Sequence, residues 1–268
     1  MKRFPAVAGQ FYPGDKTSLA RNLAELCDIT KKERKKAVAV VSPHAGYVYS
    51  GGVAGETFSQ VKIPEDVLIL GPNHHGRGAP VALMAEGSWE MPMGDVPINE
   101  ELGQTLARIS TQIEVDDLAH QYEHSLEVQV PFLQYSQAKL SITPLVVSHI
   151  PYATCVEVGR DIAAAVKEYK RPVLIVASTD MTHYESRSVA SGKDHLAIER
   201  ILALDAEGLY QTVLRQRISM CGIMPTTVAL IAALELGAKQ AELVRYTDSG
   251  EASGDIRQVV GYAGMIIS

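Results

Sequence analysis

Apolar and polar positions fall into two alternating patterns along this chain. Short β-branched runs, each closed by Gly, Pro or Ser, occur at Ala37 to Ser42, Asp66 to Leu70, Ile142 to Val147, Val173 to Ala177 and Val259 to Ile267. Such runs are apolar on both faces, which is how buried parallel strands read in sequence. Weaker strand patterns lie at Val81 to Ala85, Ile113 to Val115 and Ala241 to Tyr246. Between the runs, apolar residues recur every three or four positions over Ser18 to Cys27, Asn99 to Ile109, Cys155 to Tyr169, Asp194 to Leu202 and Thr226 to Leu236, with Gly237 as a C-terminal cap. The alternation predicts an α/β fold, with a mostly parallel central sheet and helices on both faces. Neither an internal repeat nor a linker-like stretch divides it, so residues 1–268 are expected to form a single domain.

Charge narrows the function classes. Lys and Arg number 25 and Asp and Glu 31, a formal charge of −6. Nucleic-acid binding draws on neutralised phosphates and leaves a basic stripe in the sequence. The dense basic run here, Lys31 to Lys36 with Glu33 inside it, reads as a solvated connector. Aromatic residues make up only 6%, with Trp89 the single Trp, so neither a sugar groove nor a base-stacking platform is expected. Neither nucleic acid nor membrane is expected as a partner. Cys27, Cys155 and Cys221 are odd in number and irregular in spacing, which is no disulfide framework. With no apolar leader after Met1 and no apolar run of bilayer length, a reducing, cytoplasmic setting is the expectation.

The histidines give the first chemical signal. His44 follows the run ending at Ser42, His74 and His75 follow the run ending at Leu70, and His183 follows the run ending at Ala177. In an open α/β sheet the loops at the carboxyl ends of strands converge on a cleft. Three strands therefore deliver imidazoles to one edge, as a metal or acid–base centre requires. Cys221, in Met220-Cys221-Gly222-Ile223-Met224-Pro225, occupies a tight turn before a helix, where a helix N-terminus would favour the thiolate. A buried structural thiol is the alternative there, and the core is the reading for Cys27 and Cys155. His149 and His195 have no motif and are taken as structural. His120-Gln121-Tyr122-Glu123-His124 matches the H-x-x-E-H pattern of inverted zinc peptidases, but that pattern needs a continuous helix and Pro131 interrupts the apolar spacing that follows.

Taken in order, Ala8-Gly9-Gln10-Phe11-Tyr12, Pro43-His44-Ala45-Gly46-Tyr47, Gly71-Pro72-Asn73-His74-His75, Glu123-His124-Ser125, Ser178-Thr179-Asp180 with His183, and Cys221-Gly222 with Pro225 resemble the Memo family nearly end to end. The resemblance implies the fold of class III extradiol dioxygenases, non-haem iron enzymes that hold iron with two histidines and a glutamate. Matched position by position, His44 and His74 correspond to the metal histidines, and Cys221 stands where those enzymes have the glutamate. His183 and His124 correspond to their acid–base pair. A thiolate in the set shifts preference toward copper(I) or zinc while still admitting iron(II). The resemblance thus implies a metal-binding protein, an iron- or copper-dependent oxidoreductase acting on an unknown small molecule, with zinc as a third metal. Asp180 is expected to orient His183 or a metal ligand, or else to cap a turn. His75, Glu123, Tyr47 and Tyr49 are expected around the pocket.

Prokaryotic members of the family are often encoded with a radical-SAM protein and an AMMECR-type protein, the AmmeMemoRadiSam grouping, so partners of those types are implied. Two other function classes fit the same residues. One is a non-catalytic binding module that uses the cleft for a peptide or an anionic ligand. The other is a thiol hydrolase with Cys221 as nucleophile and His183 as base.

Overall fold

The computed structural model describes residues 1–27 and 34–268. The basic run read as a connector lies outside the described residues from Lys31 to Glu33. The first half of the chain forms β1 (Lys2–Arg3), α1 (Lys16–Cys27), β2 (Ala39–Ser42), α2 (Tyr47–Ser59), β3 (Asp66–Pro72), β4 (Val81–Leu83), β5 (Ser88–Trp89), β6 (Val96–Pro97), α3 (Glu100–Ile109) and β7 (Glu114–Val115). The second half forms α4 (Val130–Ser136), β8 (Ser141–Val147), α5 (Tyr152–Tyr169), β9 (Val173–Ser178), β10 (His183–Glu185), α6 (Arg187–Leu202), α7 (Ala206–Arg215), α8 (Ile223–Glu235), β11 (Ala241–Asp248), α9 (Gly250–Ser253) and β12 (Val259–Ile267).

Among the described residues nine strands make one sheet in the order β10-β12-β2-β9-β3-β8-β4-β7, with β11 also paired to β12. The central strands β2, β9, β3 and β8 are parallel. The parallel centre matches the expectation, and the margins add antiparallel pairings to it. β12 runs antiparallel to β2, β10 and β11, and β4 runs antiparallel to β8, so the sheet is mixed. The cause on the β12 side is a short return: β11 and β12 are joined by only the turn carrying α9, too short for a parallel crossover.

Period-two alternation then sorts the central strands between two cores. Ala39, Val41, Leu68, Leu70, Leu145, Ile175 and Ala177 face one side, against α3, α5, α6, α7 and α8. Val40, Val67, Ile69, Ile142, Val146, Leu174 and Val176 face the other, against α1, α2 and α4. Because both faces are covered, the strands carry no polar alternation, and their apolar runs were legible as strands for that reason.

Several elements were not legible. α2 contains Gly51, Gly52 and Gly55 and so lacks a helical signature. The glycines serve packing: a Cβ on Gly55 would stand 2.3 Å from the Leu26 carbonyl oxygen of α1. α4, α7 and β10 were also missed, and α6 begins at Arg187 rather than Asp194.

Register places the site. Ser42 at the end of β2 pairs with Ser178 at the end of β9, and Leu70 of β3 pairs with Ala177. The loops leaving these strands therefore emerge side by side.

Candidate metal centre

His44 lies two residues beyond β2 and is 2% exposed. Its backbone N–H donates to Asp180 Oδ1 at 2.7 Å, its ring Nδ1 lies 3.0 Å from Ser178 Oγ, and its Nε2 lies 3.2 Å from Cys221 Sγ. His74 follows β3. Its backbone N–H donates to Glu123 Oε2 at 2.7 Å and its ring Nδ1 lies 2.8 Å from Glu123 Oε1. Cys221 precedes α8, in a turn pressed on the end of β9. Gly222 N–H donates to Thr179 Oγ1 at 2.9 Å, and a Cβ on Gly222 would stand 2.4 Å from the Ser178 carbonyl oxygen, so the turn needs glycine to lie this close.

Nitrogen and sulfur ligand atoms of His44, His74 and Cys221 all lie within 4.8 Å of one another, and a second group of His74, Glu123 and His124 meets the same limit. The rings of His74 and His124 stack at 4.7 Å, and His44 stands edge-on to both, at 5.2 and 5.6 Å.

Proton positions follow from the partners. Burial works to raise the Glu123 carboxyl, but the hydrogen bonds from His74 and from the Ser125 N–H outweigh it and hold the group at about 2. Glu123 is thus an ionised carboxylate that only accepts, so His74 carries its proton on Nδ1 and is left with Nε2 for a ligand. Burial works to lower His74, and the Glu123 carboxylate overrides it and raises it. His44 has no such partner, and burial, helped by its neighbour His74, pushes it down to about 3. His124 is pushed down to about 4 by burial and by His44; its Nδ1 is 3.7 Å from Glu123 Oε1, beyond hydrogen-bond reach.

The Cys221 thiol corrects one expectation. Burial, and then the Asp180 carboxylate, push it up rather than down, so the helix N-terminus does not prevail. Desolvation penalises a lone thiolate more than half-satisfied backbone dipoles reward it. A cation would reverse that balance, because a coordinating thiol is deprotonated outright.

Of the other expected site residues, Asp180 touches this group directly. His183 donates from Nδ1 to the Ser219 carbonyl at 2.9 Å and from its backbone N–H to Ser219 Oγ at 2.8 Å, which leaves its Nε2 lone pair free. The imidazole against the Cys221 sulfur is His44, not His183. Asp180 holds the His44 backbone, and its own N–H points at Cys221 Sγ from 3.2 Å. His75 is exposed and reaches the Tyr122 carbonyl oxygen at 2.9 Å. Tyr47 is buried, with its hydroxyl on the Val128 carbonyl and its ring 4.7 Å from Phe132, while Tyr49 is exposed. His195 bonds the Ser191 carbonyl one turn back in α6.

The peptidase-like pattern is not one helix. Leu118–His120 is a single 3₁₀ turn, and His120 bonds the Ala82 carbonyl through Nε2, away from Glu123 and His124. Cys27 and Cys155 are pushed up to about 12 by burial, in keeping with packed thiols.

Sequence reasoning missed an outer layer. The Ser125 carbonyl and Gln129 bond Ser178, which bonds His44. Buried Arg3 donates to the His120 and Glu123 carbonyls and pairs with Glu127 at 2.7 Å, and Glu127 in turn accepts from Tyr12. This ties the N-terminal segment to the loop that presents Glu123 and His124. Arg3 carried no signal beyond being one basic residue near the start of the chain.

A family model described as "Memo-like protein" matches residues 3–266. The chain belongs to the Memo family. A MEMO1 family protein of Aquifex aeolicus is 42% identical over 265 residues, spanning 98% of each chain. A MEMO1 family protein of Methanopyrus kandleri is 42% identical over 280 residues, spanning 99% of each. Among solved structures, the uncharacterized protein JW3007 from Escherichia coli K12 superposes with a TM-score of 0.58 at 16% identity, over 86% of this chain and 100% of that one. That likeness concerns the fold alone, an α/β sheet flanked by helices. Among the described residues no helix is long and apolar enough to cross a membrane.

The donor set fits a metal ion. Two imidazoles and a thiol point ligand atoms at one volume, and the outer nitrogens of both rings are already engaged.

Proposed function

We propose that this Memo-family chain binds one transition-metal ion through Nε2 of His44, Nε2 of His74 and Sγ of Cys221, and that it acts as an oxidoreductase on a small molecule. The observation that carries the reading is that His44, His74 and Cys221 each bring a ligand atom within 4.8 Å of the others. Iron(II) and copper are the favoured metals and zinc the third, since a mixed imidazole–thiolate set accepts all three. When bound, the metal would supply Lewis acidity and, as iron or copper, one-electron chemistry.

The chain's own residues supply the rest. Glu123 orients His74, and Asp180 holds the His44 loop. His124, held neutral near pH 7 by burial, stands against His44 and His74 as the acid–base partner the family resemblance implies, and its depressed value makes it a weak base. His183 offers an anchored ring with Nε2 free for a second transfer. The thiol-hydrolase reading loses support because His183 is not the base beside Cys221, and His44, which is beside it, is too weakly basic to hold an ion pair.

Elemental analysis of anaerobically purified protein loaded with iron(II) or copper(I) tests the reading. One metal per chain in the wild type, absent in His44→Ala and in Cys221→Ser, is the expected result. Metal content unchanged in both variants would sink it, and a wild type that binds no metal would favour a binding module.

A further inference from the structure

Ser178 Oγ, at the last residue of β9, has three polar neighbours: the Ser125 carbonyl oxygen at 2.6 Å, Gln129 Nε2 at 2.8 Å and His44 Nδ1 at 3.0 Å. A hydroxyl offers one proton and two lone pairs. The carbonyl can only accept, so the hydroxyl proton goes to Ser125. The orientation of the Gln129 amide is fixed independently. The same Nε2 lies 2.9 Å from the Pro43 carbonyl oxygen, and rotating the amide would set oxygen against oxygen. Gln129 therefore donates twice, once to each side of the gap between the β2 exit and the end of β9. The remaining Ser178 lone pair faces His44 Nδ1, which must be the donor.

One buried atom marks what this arrangement sacrifices. Gln129 is fully buried, and its Oε1 has no hydrogen-bond partner. Buried acceptors are rarely left so, and one that is calls for an explanation. Here the amide is turned so that both of its protons serve Pro43 and Ser178.

We propose that Ser178 and Gln129 are positioning residues that keep the His44 proton on Nδ1 and present its Nε2 lone pair to Cys221. Ser178 is the acceptor that selects the tautomer, and Gln129 clamps that hydroxyl to the strand exit carrying His44. Without them a neutral imidazole is free to carry its proton on Nε2, the nitrogen 3.2 Å from the sulfur, and would then have no lone pair to offer there. The consequence for metal affinity rests on the metal reading above, whereas the proton position does not.

The test begins with metal-free protein labelled with ¹⁵N-histidine. Long-range ¹H–¹⁵N correlation spectra, assigned with His44→Ala, are expected to show His44 protonated at Nδ1 and bare at Nε2. Ser178→Ala is expected to mix or invert the tautomer, and Ser178→Thr, which keeps the hydroxyl, to restore it. In chelator competition with zinc alone, Ser178→Ala is expected to lower affinity by about 10- to 100-fold and Gln129→Met by about tenfold. A wild-type His44 protonated at Nε2 overturns the proposal, and that reading needs neither Ser178→Ala nor Gln129→Met to fold. Unchanged tautomer and unchanged zinc affinity in both Ser178→Ala and Gln129→Met overturn it as well. A wild type with the Nδ1 proton that binds no zinc, iron(II) or copper(I) would leave the positioning role standing and remove the metal reading.

Discussion

Two buried polar networks sit at opposite ends of the same parallel strands. At the start of β3 and β8, Asp66 pairs in register with Ser141. Asp66 Oδ1 accepts from Asn99 Nδ2 at 2.7 Å and from Ser141 Oγ at 2.6 Å, and its Oδ2 accepts from the Tyr169 hydroxyl at 2.9 Å. Asn99 Oδ1 accepts the Leu102 N–H at 3.0 Å and so caps α3. This network is closed, because its donors and acceptors answer one another. At the carboxyl ends of the strands, the outer atoms of His44 and His74 are answered in the same way, by Ser178 and Glu123. Their inner atoms and the Cys221 sulfur are left facing one another. A closed network serves stability, whereas an open one, held rigid from outside, is how a site for an exogenous ligand is built.

The comparison breaks if the two ends respond alike to substitution. The largest expected effect is at the open end: Cys221→Ser or His44→Ala removes essentially all bound metal, and removing metal from the wild type with a chelator lowers its melting temperature to that of these variants. If the variants keep their metal, the open end is not a metal site.

Acid should separate the ends next. In metal-free protein His44 and His124 have folded values of about 3 and about 4 against an ordinary 6.5, so their contribution is present above pH 6.5 and is lost as pH falls toward those values. By pH 5 each is expected to have cost on the order of 2 kcal/mol. His74, raised by Glu123, acts in the opposite sense and keeps its contribution on the acid side. Glu123, held at about 2, adds a second loss that begins only below about pH 4.5. Urea denaturation between pH 8 and pH 4 reads this slope, and His124→Gln should flatten its upper part.

At the closed end, Asp66→Ala should cost about 3 kcal/mol in urea denaturation, about 1 for each hydrogen bond removed, with metal stoichiometry unchanged. Loss of metal in that variant would show that the two ends are coupled through the strands. The smallest effect expected is that of Glu123→Gln, which keeps the shape but removes the charge that orients His74. Metal affinity should fall by about 10- to 100-fold, with stoichiometry restored at high metal concentration.

Legibility followed range. The central strands could be read because both of their faces are buried, and the position of His44, His74 and His183 just beyond strand ends could be read with them. α2 could not, because its glycines are selected by contact with α1 rather than by helix propensity. The mixed character of the sheet was equally hidden, since the apolar run of β12 looks the same whichever way its neighbours point. Within the site, Cys221 was legible as a thiol in a tight turn, but the sign of its shift was not, because burial and Asp180 come from elsewhere in the chain.

By itself, then, the sequence determined the α/β alternation, the apolar runs that become the core strands, the acidic balance and the placing of imidazoles at strand exits. These are properties of neighbouring residues, set by backbone periodicity and side-chain polarity. Only the tertiary structure decided which imidazole faces the sulfur, where each ring carries its proton, and that Gln129 leaves an oxygen unpartnered to hold Ser178. Those outcomes depend on partners 177 residues apart for His44 and Cys221, 53 for Ser125 and Ser178, and 49 for His74 and Glu123. No local pattern encodes such distances, because a hydrogen bond is specified by geometry that exists only once the sheet has brought its strand ends together.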